Sequence, residues 1–434
     1  MCQVFEETEK HPLEPTKKLT IPARTARRWL HINGLHYSRL GKGVYIDGHE
    51  RDDVKEYRQN TFIPRWQALR KDFYIFKPET MSWSSPPNSN SKPIVFVTHD
   101  ESTFNANDGR RSGWIKDKQM PLRPKGQGKG IMVSAFLTPG GILKIPDSIP
   151  DEEILARHPD WQKTADGKTL VREAVRYLEF GKDNYWTGDK MVEHAIQAAK
   201  IFQFAFPQCR GLFAFDNAPN HSVYAADALV ADRMGLNPGG KQPKMRDGYI
   251  HARNRPQRMI FSSLHPKYPN QPKGLQQILV ERNLWREHNS FGKFLLKCAS
   301  CPKSGIDHKQ CCARAVIANQ PDFLQQKGRL EEELTRLGLE LIFYPKFHCE
   351  LNFIERFWCS AKHYARDNCS YSLQGLRETV PNALHSVSAT TINNYFNHCD
   401  RTIDAYAEDL TYGTKEFTTR MYKSHRQVKD STKN

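Results

Sequence analysis

Short apolar runs are set among long polar stretches. Ile94–Val97, Ile131–Leu137, Leu212–Phe215 and Leu339–Phe343 are four to seven residues long. Runs of that length predict strands buried on both faces. Gly113–Ile115 predicts another strand, so that Gly113–Ile115 and Ile131–Leu137 would be the second and third strands of a meander. A 3.6-residue period takes over elsewhere. Met191, Val192, Ala195, Ala198, Ile201 and Phe202 predict a helix over Asp189–Phe204, and similar patterns predict helices over Val223–Met234, Leu330–Leu337 and Leu351–Asp367. Two more helices are expected between Tyr371 and about Tyr412. Near the start, Thr20 or Pro22 opens a helix with an apolar stripe of Ala26, Trp29 and Leu30, and Gly34 stops it. A strand at Val44–Ile46 follows. This is either the second half of a helix-turn-helix or an ordinary amphipathic helix whose basic side, Arg24, Arg27 and Arg28, is solvated. Glu50–Phe73 predicts a long polar connector helix, and Ser82–Lys92 a boundary loop.

The fold class is α/β: a mixed five-stranded sheet with flanking helices and a large insertion before the last long helix of the core. The expected organisation is residues 1–80, a helical segment and connector; 90–225, the first part of the core; 236–328, a basic, Cys-containing insertion; 329–370, the end of the core; and 371–434, helices and tail.

Charge adds a partner to this picture. The chain carries a formal +16. Gly109–Gly130 holds seven Lys/Arg against one Asp, and Leu236–Gly274 eight against one. Clusters of that kind fit a polyanion, nucleic acid first, although solvated loops have the same composition. In the first cluster Gly126, Gly128 and Gly130 let backbone approach a phosphate. Arg110, Arg111, Lys125 and Lys129 supply charge, and Trp114 can stack on an unpaired base. No run is long enough to cross a membrane. The polar, acidic N-terminus is no secretory signal, so a nuclear or cytoplasmic location is expected. Ten cysteines without such a signal point to reduced thiols or metal ligands.

Three acids stand out: Asp100 and Asp216 at the ends of apolar runs, and Glu355 on a predicted helix. Such acids can converge at the carboxyl edge of an α/β sheet. Oxygen ligands suit Mg²⁺ or Mn²⁺, and two ions about 3.5–4 Å apart serve in-line displacement at phosphorus. Taken singly, each acid is a turn residue, a cap or a surface charge. Asn352, one turn before Glu355, and Lys362, two turns after it, share its helix face, which places Lys362 for a DNA phosphate. Inside the insertion, Cys298, Cys301, Cys311 and Cys312, with His308, form a candidate structural Zn²⁺ site or a set of free thiols. Cys349, Cys359, Cys369 and Cys399 are expected as core thiols.

The segments THDESTF, FDNAPNHS and ELNFIERFW with Lys362 resemble the Tc1/mariner and IS630-like DDE transposases, and more closely the fungal DDE superfamily endonucleases. GRRSGW, VYIDGHER and GGKQPKMRD are also similar to the fungal group. The resemblance spans about Thr25–Arg366. It implies an RNase H-like core, with Asp100, Asp216 and Glu355 as the metal-binding catalytic triad and Asn217 and His221 on the polar turn after the second acid. It implies metal-dependent DNA cleavage and strand transfer, double-stranded transposon ends and target DNA as partners, a nuclear location and a homodimer. The chain departs from that family in separating Asp216 from Glu355 by 139 residues, in Phe353 where a proline is usual, and in having room for about one N-terminal DNA-binding unit. Two other functions fit the same residues: a catalytically inactive, transposase-derived DNA-binding protein, and an RNase H-type nuclease.

Overall fold

The computed structural model describes residues 21–33, 48–86, 91–110, 122–164, 167–180, 185–289, 292–298 and 309–421. The chain divides into two compact units, residues 1–47 with 422–434, and residues 48–421. In the first, α1 (Ala23–Ile32) follows Pro22, as expected, and buries none of its residues. Gly34 and Val44–Ile46 lie outside the described residues.

The second unit opens with α2 (Asp52–Tyr57), a π-helical turn (Arg58–Phe62) and α3 (Ile63–Arg70), which together realise the expected connector helix. Pro64 has no amide hydrogen to donate, so the regular ladder fails there and the wide turn precedes it. A hairpin of β1 (Ile75–Lys77) and β2 (Ser82–Ser84) follows, so part of the expected boundary loop is strand.

The sheet is built from β3 (Ile94–Asn105), β4 (Gly130–Thr138), β5 (Gly141–Ile142), β6 (Val175–Glu179), β7 (Arg210–Phe215) and, far along the chain, β12 (Glu340–Phe343). β4 runs antiparallel to β3, and β6 antiparallel to β4. β7 and β12 then add in parallel on the other side of β3. This is the expected RNase H-like mixed sheet, with one difference. It has six strands rather than five, because β5 and β6 pair with successive stretches of the same edge of β4. Ile131–Leu137 is therefore the second strand of the described meander, and Val175–Glu179 the third. Gly113–Ile115 lies outside the described residues.

Both faces of β3 are covered, which is why its first half reads as an unbroken apolar run. Ile94, Phe96 and Phe104 pack with α10 (Phe353–Asp367), α11 (Leu373–His385), α12 (Ala389–Ala407) and α13 (Lys415–Met421). Val95 and Val97 pack with α5 (Gly188–Ala205) and α9 (Arg329–Arg336). The remaining helix of this part, α4 (Asp151–Arg157), adds Ile154 to the second layer.

Between β7 and α9 a third apolar cluster draws on residues 229–323. Its elements are short: β8 (Gly248–Ile250), β9 (Arg255–Gln257), α6 (Leu275–Glu281), β10 (His288–Asn289), β11 (Gly292–Lys293), α7 (Ala313–Ala318) and α8 (Pro321–Leu324). The helix expected over Val223–Met234 is absent; only a 3-10 turn forms, at Ala231–Arg233. Its backbone is used elsewhere. The Val223 carbonyl accepts from the Arg329 amide, the Asp227 carbonyl from the Arg246 amide, and the Leu229 amide donates to Gln326 Oε1. Tertiary hydrogen bonds overrode local propensity. Of the four expected core thiols only Cys399 is buried; Cys349 and Cys359 are exposed and Cys369 half-buried.

Candidate active site

Asp100 lies mid-strand, not at a strand end as the sequence suggested. β3 continues to Asn105 because β4 pairs with it throughout, from Asp100 opposite Ala135 to Asn105 opposite Gly130. The parallel neighbour β7 stops pairing at Thr98 opposite Ala214. Two residues further on, in the same register, come Asp100 and Asp216. The second acid follows directly on the last residue of its strand, Phe215. Side-chain alternation directs Asp100 toward the sheet face that α10 covers.

Glu355 enters from the first turn of α10. That turn is pinned to β3 by Asn352, which is only 4% exposed. Asn352 Nδ2 donates to the His99 carbonyl at 3.3 Å, and its Oδ1 accepts from Thr98 Oγ1 at 2.6 Å. Asn352 thus precedes the helix with extended backbone and is tied to β3, rather than lying on the helix face it was expected to share with Glu355 and Lys362.

The carboxylates influence one another's protonation, with Asp100 the most affected. Burial, then the charges of Glu355, Glu101 and Asp216, hold Asp100 well above the ordinary carboxylate range. Glu355 opens to solvent, yet burial of its inner side and the charge of Asp216 raise it, against the pull of Lys362. Asp216 goes the other way. Burial would raise it, but the hydrogen bond and charge of His221, with the Ala218 amide at 3.0 Å, outweigh that and lower it. His221 is 1% exposed, and its Nδ1 is 2.6 Å from Asp216 Oδ1. Burial works against its positive charge, but Asp216 and Glu101 prevail and push it up to about 10. Asn217 turns away and donates to the Tyr344 carbonyl.

Several residues of this neighbourhood were not read from the sequence. Trp358, 2% exposed, donates from Nε1 to Asp100 Oδ2 at 3.0 Å. Its place three residues after Glu355, on the same helix face, was the available signal. On the opposite face of β3, His99 and Glu101 meet His221. Glu101 Oε1 is 3.9 Å from His99 Nε2 and 3.8 Å from His221 Nε2. His99 Nε2 lies 2.8 Å from Ser134 Oγ, which lies 2.9 Å from His194 Nδ1. Burial, then the charges of His221 and His194, hold His99 well below the usual imidazole range, so it is neutral.

The candidate DNA contacts are scattered. Lys362 Nζ is 5.8 Å from the centre of the Phe104 ring, close enough to Glu355 for its charge to act there. Lys125 and Lys129 are exposed on the connection between β3 and β4. Gly128 has φ +72 there, and a Cβ would stand 2.9 Å from Asn107 Cγ, so the turn itself requires glycine. Arg110 is bound to Asp367 at 2.8 Å. Arg111 and Trp114 lie outside the described residues. Arg27 and Arg28 are exposed on α1, in the other unit. In the insertion, Cys298, Cys311 and Cys312 come together, whereas Cys301 and His308 lie outside the described residues. No described helix is long and apolar enough to cross a membrane.

No family model matches the chain, and no curated protein matches it. Among solved structures, the Mos1 transposase paired-end complex with left transposon end is similar at 11% identity and TM-score 0.42, over 89% of this chain and 70% of that one. The Mos1 mariner paired end complex with Mn follows at 11% and 0.43, over 90% and 72%. The Mos1 paired end complex with Mg follows at 10% and 0.40, over 93% and 82%. Likenesses at this level are too low to bear on function.

Proposed function

We propose that this chain is a DDE-type transposase or endonuclease that cuts DNA with divalent metal and joins the strands. One observation carries the reading: Asp100 and Asp216 take matching places two residues past the last paired position of β3 and β7, and Glu355, on the first turn of the helix pinned to β3, stands near enough that its charge raises Asp100 and the charge of Asp216 raises it, on top of burial. Three carboxylates, of which Asp100 and Glu355 are held above their ordinary range, fit a hard cation. Asp100, Asp216 and Glu355 would hold Mg²⁺ or Mn²⁺, two ions in the full site, and the metal would stabilise developing charge on phosphate and activate the attacking oxygen. The chain's own residues do the rest. Trp358 fixes one oxygen of Asp100. His221 and the Ala218 amide fix Asp216. Glu355 faces solvent, where substrate arrives. Lys362 offers a phosphate contact beside it, and Lys125 and Lys129 add attraction that salt would screen. Double-stranded DNA as substrate, a homodimer joining two DNA ends, and a nuclear location belong to the same proposal.

The test is nicking of a supercoiled plasmid and of an RNA–DNA hybrid with Mg²⁺. Wild type should nick DNA only with metal, and Asp216→Asn should lower the rate at least about 10²–10³-fold, the range seen when a preorganised charge-stabilising group is lost. DNA binding without cutting in both proteins would leave a binding module. Cleavage confined to the hybrid would make the chain a ribonuclease.

A further inference from the structure

The insertion has a core too small for its length. Among the described residues of 229–323, its apolar cluster holds twelve buried side chains, spread over short helices and two-to-three-residue strands. A core built from such short elements gains stability from a covalent or metal staple.

Three thiols stand at the edge of this core. The segment carrying Cys298 runs beside the start of α7, because the Ala313 amide donates to the Leu295 carbonyl at 3.0 Å and the Arg314 amide to the Leu296 carbonyl at 3.1 Å. That pairing brings Cys298 to Cys311 and Cys312, so that the three Sγ atoms lie within 4.8 Å of one another. Cys311 and Cys312 are 2% and 1% exposed. Their sulfurs are 3.8 Å apart, far beyond a disulfide bond. Two thiolates on one tetrahedral zinc, each about 2.3 Å from the ion, stand about 3.8 Å apart. Neighbouring cysteines normally diverge. Here Cys312 has extended backbone, φ −153 and ψ 169, just before α7, and both sulfurs turn to the same side.

We infer that Cys298, Cys311 and Cys312 bind a zinc ion that fastens the 295–298 segment to α7 and closes the insertion's core. The ligands are soft sulfur, so this site and the carboxylate site select different metals. Cys301 and His308 lie outside the described residues, and the inference stands on the three thiols alone.

The test uses the full chain. Purified protein should carry one zinc per chain by elemental analysis. After stripping under reducing conditions it should take up Co²⁺ with thiolate-to-cobalt charge-transfer absorption, which oxygen ligands do not give, so the carboxylate site leaves that signal dark. Stripping should also speed proteolysis within residues 229–323 at least about ten-fold, with zinc restoring resistance. Cys298→Ser and Cys312→Ser should each weaken Co²⁺ uptake. Should either variant fold poorly, the wild-type cobalt spectrum still decides. Absence of the charge-transfer band in wild type, a disulfide joining Cys311 to Cys312 in the native protein, or an undiminished band in the Cys298→Ser, Cys311→Ser, Cys312→Ser triple variant would overturn the inference.

Discussion

The acid-bearing edge of the sheet and the insertion assemble chemistry in opposite ways. At the edge, Asp100, Asp216 and Glu355 come from three distant parts of the chain, and strand register with a pinned helix start brings them near enough for their charges to act. In the insertion, Cys298, Cys311 and Cys312 come from one short stretch, and two backbone hydrogen bonds suffice. A large core can hold the raised carboxyls of Asp100 and Glu355 in place because their destabilisation is small beside what the two flanking layers contribute. A small core has no such reserve, and its polar groups must hold it together.

The insertion's buried ion pair gives the sharpest way to break that contrast. Arg282 donates to Asp322 Oδ1 at 2.9 Å and Oδ2 at 2.6 Å, and Asp322 also accepts from the Tyr249 amide at 2.9 Å. The side chains are 1% and 6% exposed. Asp322→Ala leaves a buried guanidinium unpaired, which costs about 3–5 kcal/mol. Native-state proteolysis should show residues 229–323 opening first, with the sheet still folded. Simultaneous loss of both would mean that the insertion has no separate stability.

A smaller effect is expected at the sheet edge. Trp358→Phe keeps the packing but removes the hydrogen bond to Asp100. Loss of such a supporting contact lowers activity or metal affinity about 10–100-fold. Nicking rates against Mg²⁺ concentration should show the loss chiefly as a raised metal requirement. An unchanged curve would remove Trp358 from the account.

The pH response is gentler and tests the carboxylates together. Asp100 and Glu355 are raised in the folded protein. The folded state therefore holds their protons more tightly, and the resulting stability is lost as pH rises from about 4 through the folded values. Asp216 is lowered, so its contribution is present above its unfolded value and fades as pH falls below about 4. His221, pushed up to about 10, contributes stability that is lost only as pH climbs from about 6.5 toward that value. Metal-free protein should lose thermal stability on going from about pH 5 to about pH 8, and Mg²⁺ should restore more Tm at the higher pH. An equal Mg²⁺ shift at both would argue against shared charge.

Much of this was legible beforehand, for physical reasons. The strand carrying Leu212–Phe215 and the helix over Gly188–Ala205 follow from apolar periodicity, since each buries a full face or both. Val175–Glu179 was missed because an edge strand with little burial carries weak alternation. The Val223–Met234 helix failed because distant residues claim its backbone. Trp358 escaped notice because its role is a bond to a residue 258 positions away, which leaves no local pattern. The helical period puts Asn352 on one face with Glu355 and Lys362, whereas its bonds tie it to β3. The acids themselves were legible as motifs; that Asp100 lies mid-strand was not, because the point where β7 stops pairing is a property of two strands at once.

The central claim is that three carboxylates make one pocket for a hard divalent ion. Electron paramagnetic resonance of Mn²⁺ titrated into wild type and into Asp100→Asn, Asp216→Asn and Glu355→Gln tests it most directly. The account predicts bound Mn²⁺ in wild type and a loss of at least about ten-fold in affinity in each variant, with the fold retained. Mn²⁺ binding that survives unchanged in any of the three would contradict it.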